Sequence, residues 1–189
     1  MSRPTWDETF IAMSKELAKR SKDQNTKIGC CIVNPNNNII LVSGYNCFPR
    51  GIYDSIQERQ ERPVKYFYFE HAERNAIYNA AREGIRLEGS TIYLPYLPCS
   101  DCARAIIQAG ILEMVLEEPC PSFNWQKSGL RDSYYHSILM LREAGIYIRK
   151  INEELCIANH IQDHMMSILQ RNPKEKEKCI TNQEEPDGD

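Results

Sequence analysis

The chain has 189 residues, 42% of them hydrophobic, with 23 Lys and Arg against 26 Asp and Glu and eight cysteines. A chain of this length can fold as one domain without a disulfide scaffold, and a net charge of −3 excludes a general nucleic-acid binder, which needs many Lys and Arg contacts to phosphate. No apolar run of about 18 residues is present and the opening MSRPTWDETF lacks the apolar stretch of a secretory signal, so a cytoplasmic protein with reduced cysteines is expected.

In chain order, residues 5–20 read as a helix: Thr5 and Glu8 form a capping box, and Trp6, Phe10, Met13 and Leu17 recur at helical spacing. Two apolar runs, 28–33 and 39–43, flank the turn-forming cluster Asn34-Pro35-Asn36-Asn37-Asn38 and predict a β-hairpin. Residues 44–69 are too irregular to assign, and a loop of that length inside a small domain is often functional. Residues 71–83 predict a helix stopped by Gly84, 91–97 a strand, and the segment from Cys99 a second helix ending at Gly110. A strand over 112–117, a helix over 133–144 before Gly145, a strand over 147–151 and a helix over 153–170 follow. Residues 172–189 are almost devoid of apolar side chains and read as a disordered acidic tail, leaving 1–171 as a single domain. Helices alternating with strands predict a mixed sheet of about five strands in an α/β/α sandwich.

Two short segments carry the chemistry. His71-Ala72-Glu73 opens one predicted helix, and Pro98-Cys99-Ser100-Asp101-Cys102 opens the next. Thiols three residues apart in a first helical turn share a face and can grip one metal ion, and the helix N-terminus favours thiolate. With His71 as third ligand, a tetrahedral zinc keeps its fourth position for a water of lowered pKa, the arrangement of a catalytic site. Glu73 is placed to shuttle that water's proton without ligating the metal. Taken alone, the Cys-x-x-Cys is equally a thioredoxin-like redox pair or a pair of buried cysteines. The interval from Glu73 to Cys99 suits a helix, a turn and a strand, which would bring both helix starts to one end of a sheet.

The combination of H-x-E and P-C-x-x-C resembles the signature of the zinc-dependent nucleobase deaminases. SKDQNTKIGCCIV (21–33), GYNCFPRG (44–51), HAERNAI (71–77), PCSDC and AIIQAGI (105–111) are similar to the deoxycytidylate (dCMP) branch of the cytidine and deoxycytidylate deaminase superfamily. Asp101, where relatives acting on other bases usually carry Met, also points to that branch. The resemblance implies one zinc ion held by His71, Cys99 and Cys102. It makes Glu73 the general acid and base, the reaction being conversion of dCMP to dUMP and ammonia. It further implies that Asn46 bonds the sugar, where a turn asparagine bonding its own backbone is the competing reading. Ala72 and Thr26 are expected at the substrate, with Lys27 and Arg50 as cations for the 5′-phosphate.

The dCMP branch forms homo-oligomers up to hexamers, and dCTP and dTTP act as effectors at a Gly-Tyr-Asn-Gly motif. Here Cys47 replaces the last glycine, and its side chain is expected to obstruct the close approach of a nucleotide. Cys30 and Cys31 read as core, while Cys120, Cys156 and Cys179 have no metal-ligand spacing. His160 and His164 lie four residues apart without a third ligand and read as a solvated helix face. The alternatives are a deaminase of another base, including tRNA adenosine, and a zinc-stabilised binding module without activity.

Overall fold

The structure, a computed structural model, describes residues 2–118 and 131–152. Its centre is a five-stranded sheet in the order β2-β1-β3-β4-β5. Strands β1 (Gly29–Asn34) and β2 (Ile39–Tyr45) form the predicted hairpin, and β1 also pairs antiparallel with β3 (Thr91–Leu94). Parallel pairing then joins β3 to β4 (Glu113–Leu116) and β4 to β5 (Tyr147–Lys150). The mixed sheet matches the expected architecture.

Strand alternation divides the core into two layers. On one face Cys30, Ile32, Ile92, Leu94, Met114, Leu116 and Ile148 pack with α3 (Ala72–Glu83), α4 (Ser100–Gln108) and α5 (Arg131–Glu143). On the other, Cys31, Val33, Tyr93 and Val115 pack with Phe10 and Ile11 of α1 (Trp6–Ala18). Both parallel crossovers, α4 and α5, therefore lie in one layer, as a sheet built outward in a single direction requires.

The capping box of α1 is present: Thr5 Oγ1 accepts the Glu8 N–H at 3.2 Å and Glu8 Oε2 accepts the Thr5 N–H at 2.7 Å. The helix ends at Ala18 rather than residue 20, because the N–H groups of Lys19, Arg20 and Ser21 turn to carbonyls three residues back. Its buried face also differs from the apolar stripe. Phe10, Ile11, Ser14 and Ala18 are buried, whereas Trp6 and Met13 stay largely exposed. The cause lies in β1, where a Cβ on Gly29 would sit 2.1 Å from the Ser14 carbonyl oxygen. The helix approaches so closely there that only small residues fit between them. Strand β3 stops at Leu94 because Pro95 has no N–H for the ladder.

The unassigned stretch holds a 3₁₀ turn, Gln57–Gln60, and the short helix α2, Lys65–Tyr68. The predicted helix over 153–170, the tail, His160, His164, Cys120, Cys156 and Cys179 lie outside the described residues. Among the described residues no helix is long and apolar enough to cross a membrane.

Candidate metal and catalytic site

Both chemistry-bearing segments sit at helix starts. His71 is the N-cap of α3 and Cys99 the N-cap of α4, and neither uses its side chain to cap its own helix. Close packing positions the first. A Cβ on Gly44 of β2 would lie 2.4 Å from the Ala72 carbonyl oxygen, so the strand rests directly on the first turn of α3. The Cys30 thiol donates to that same carbonyl at 3.2 Å. At the second helix, Ser133 of α5 takes over the capping: its Oγ accepts the Ser100 N–H at 2.9 Å. The Cys99 sulfur is thereby left free for another partner.

His71 Nδ1 lies 3.4 Å from Cys99 Sγ and 3.5 Å from Cys102 Sγ, and the three donor atoms all fall within 4.8 Å of one another. Tetrahedral zinc with Zn–N of about 2.05 Å and Zn–S of about 2.3 Å requires N···S separations of about 3.6 Å. One imidazole and two thiols at these spacings fit zinc, and they leave a fourth position open.

The electrostatics favour a charged cluster. Hydrogen bonding from Cys102, then from His71, draws the Cys99 thiol down to about 4. The same contact with Cys99 raises His71 to about 9 against the effect of burial. Cys102 moves the other way, pushed up by its hydrogen bond to Cys99 and by burial. Glu73 is only 6% exposed, and burial raises its carboxyl above the ordinary range despite the imidazolium beside it. A carboxyl moved in that direction comes closer to the pH at which it can both accept and give up a proton.

His71, Glu73 and Cys99 face a cavity of about 1060 Å³, lined also by Thr26, Asn46, Ala72, Tyr134 and the hydrophobic pair Leu94 and Leu97. Its volume lies just above the range of about 300–1,000 Å³ for small-molecule sites. Asn46 is 7% exposed and deeply engaged. Its Oδ1 accepts the Ile28 N–H at 2.8 Å, while Nδ2 donates to the Thr26 carbonyl at 2.8 Å and to Asp23 Oδ2 at 3.3 Å. One Oδ1 lone pair is what it retains for a ligand.

Lys27 and Arg50 are not brought to this cavity. Lys27 borders a separate depression of about 300 Å³ beside α1, and the Arg50 guanidinium donates to Asn79 Oδ1 at 2.6 Å. Three groups unassigned from the sequence instead shape the walls. Asp23 accepts the Asn25 and Thr26 N–H groups and pairs with Lys65, a buried link that fixes the 23–28 loop beside Asn46. Arg74 bonds Glu70 at 2.5 Å and reaches Asp101 at 3.2 Å, joining the start of α3 to the Cys-x-x-Cys turn. Tyr134 brings a phenol raised in pKa by burial and then by the nearby Cys99 thiolate. Arg74 sits inside a quoted motif, but its partners are not local; Tyr134 carries no sequence signal at all.

A buried acid beside an open three-ligand zinc geometry, at the starts of two helices on a mixed sheet, defines a hydrolytic metal site of the nucleobase-deaminase class. Residues 4–118 match the family described as the cytidine and deoxycytidylate deaminase zinc-binding region, and the chain belongs to that family. It is 36% identical over 150 residues to deoxycytidylate deaminase of Homo sapiens, covering 77% of this chain and 79% of that one. It is 41% identical over 120 residues to a probable deoxycytidylate deaminase of Drosophila melanogaster, spanning 58% of each chain. The fold is shared with dCMP deaminase from the cyanophage S-TIM5 in complex with dCMP and dUMP, at a TM-score of 0.61 and 22% identity, over 79% of this chain and 99% of that one.

Proposed function

We propose that this protein is a zinc-dependent deaminase converting dCMP and water to dUMP and ammonia, with His71, Cys99 and Cys102 as the zinc ligands. The juxtaposition that carries this reading is Glu73, buried and raised in pKa, beside a His-Cys-Cys cluster of zinc dimensions. Zinc bound there lowers the pKa of a water at its open position. Glu73 then does the proton work: it takes one proton of the water and delivers it to N3 of the cytosine ring as the oxygen bonds to C4, then takes the proton left on that oxygen and passes it to the 4-amino nitrogen, which leaves as ammonia as the C4–N bond breaks and the C4 carbonyl forms. Leu94 and Leu97 give the cavity an apolar wall, which limits competing water. Asn46 offers its remaining Oδ1 lone pair to a sugar hydroxyl, and Ala72, first residue of α3, offers a main-chain N–H that has no intrahelical acceptor.

Ammonia release measured on dCMP, dCTP, deoxycytidine, CMP and adenosine-containing tRNA tests the reading; dCMP is expected to be the preferred substrate. Preference for the tRNA would make it an RNA-editing enzyme, and zinc content without turnover on any substrate would make it a binding module. Homo-oligomers and cytoplasmic localisation belong to the same proposal. Cys47 holds its side chain against α3, where Asn75 Nδ2 donates to Sγ at 3.3 Å, and its main chain bridges Glu70. With that position filled, dTTP is expected to leave the initial rate on dCMP unchanged in a direct titration.

A further inference from the structure

We propose that Arg62 is the cation that receives the 5′-phosphate of the nucleotide. The inference rests on the dCMP reading and deepens it, because the phosphate is what separates dCMP from deoxycytidine.

Three lysine and arginine side chains line the cavity: Arg62, Lys65 and Arg74. Two are already committed. The Lys65 ammonium faces the Asp23 carboxylate with side chains only 7% and 3% exposed, and it lies 5.3 Å from the centre of the Phe69 ring. Drawing it towards a ligand would strand Asp23 as a buried, uncompensated charge. Arg74 divides its guanidinium between Glu70 and Asp101.

Arg62 is different. It is exposed, and among the described residues it forms no ion pair. Its guanidinium carbon stands 5.8 Å from the centre of the Tyr66 ring, itself a cavity residue. A guanidinium over an aromatic face is oriented by the ring yet keeps its N–H donors at its edges, in the planar fork that matches two phosphate oxygens. The segment beneath it is held in place: Gln57 donates to Glu61 at 3.1 Å and Gln60 to the Asp54 carbonyl at 2.8 Å. The first of these bonds also engages the one carboxylate adjacent to Arg62 in the chain.

Steady-state kinetics on dCMP and deoxycytidine, for the wild type, Arg62→Gln and Arg62→Lys, test the assignment. A charge-assisted contact of this kind predicts a rise of about ten- to a hundredfold in KM for dCMP in Arg62→Gln, with kcat within about twofold. The rise for deoxycytidine should be smaller by about tenfold or more. Arg62→Lys, which keeps the charge and loses the fork, should recover part of the loss. An equal rise for both substrates, or none for dCMP, overturns the role of Arg62 while leaving the dCMP reading intact. A wild-type enzyme that turns over deoxycytidine as well as dCMP removes the nucleotide reading, and the inference with it.

Discussion

Glu73 and Asn46 are both buried polar residues on the same cavity, yet they do different work and will fail differently. Glu73→Gln keeps the shape and loses the transferable proton. Zinc content should remain at the wild-type level while turnover falls by the factor of about 10²–10⁴ that general acid–base catalysis supplies; ammonia release and metal analysis on one preparation check both. Asn46→Ala instead leaves the Ile28 N–H and the Asp23 carboxylate short of a partner. Its cost of about 1–3 kcal/mol in stability should appear as a lowered Tm together with a raised KM, whereas a residue that only touches substrate would move KM alone. Legibility at this scale tracks separation along the chain. His71, Glu73, Cys99 and Cys102 stand in compact motifs whose spacing states their chemistry. Asp23 and Lys65 meet across a long stretch of irregular sequence, and the neutralisation of Lys65, which sets it apart from Arg62, exists only in the folded chain.

Helices and strands were readable wherever a local signal fixed them. The capping box of α1, the hairpin turn and the alternation of helix with strand all reappear in the fold. The rotation of α1 did not, because it is set by Gly29 on a different element rather than by the apolar stripe of the helix itself. Nor did the 3₁₀ turn and α2, each only four residues long and too short to repeat a helical period, although Gln57, Gln60, Lys65 and Tyr66 from them line the cavity. Gly44 shows how strongly one such contact constrains the site. Gly44→Ala places a methyl group against the Ala72 carbonyl and must push α3 away from β2. A loss of about 1–3 kcal/mol is expected from such overpacking. Thermal melts should show it, and zinc affinity by chelator competition should fall with it because His71 moves with α3.

Across the whole molecule, α1 is held to its face of the sheet by charge as well as by apolar packing. Arg149 of β5 bonds Asp7 of α1 at 2.5 Å and Glu113 of β4 at 2.7 Å, and Tyr93 of β3 donates to Asp7 at 3.1 Å. Burial would raise the Asp7 and Asp23 carboxyls, but Arg149 and Lys65 with the surrounding N–H groups outweigh it and hold both below the ordinary range. A depressed folded-state pKa contributes stability above the unfolded value, near 4 for Asp, and loses it as pH falls through the folded value. The urea midpoint should therefore hold steady from about pH 7 to about 5 and drop below about 4. Asp7→Asn should lower the neutral midpoint and flatten the acid decline.

His71 and Cys99 are 28 residues apart, and the chain between them contains all of α3 and the central strand β3. A zinc ion bound as proposed would hold both ends and make that stretch a closed ring, much as a disulfide would, but one that a chelator can open under mild conditions. Stripping zinc then does more than silence the enzyme. The ring between residues 71 and 99 should gain amide hydrogen exchange first, while α1 on the opposite face, anchored through Asp7 and Arg149, keeps its protection.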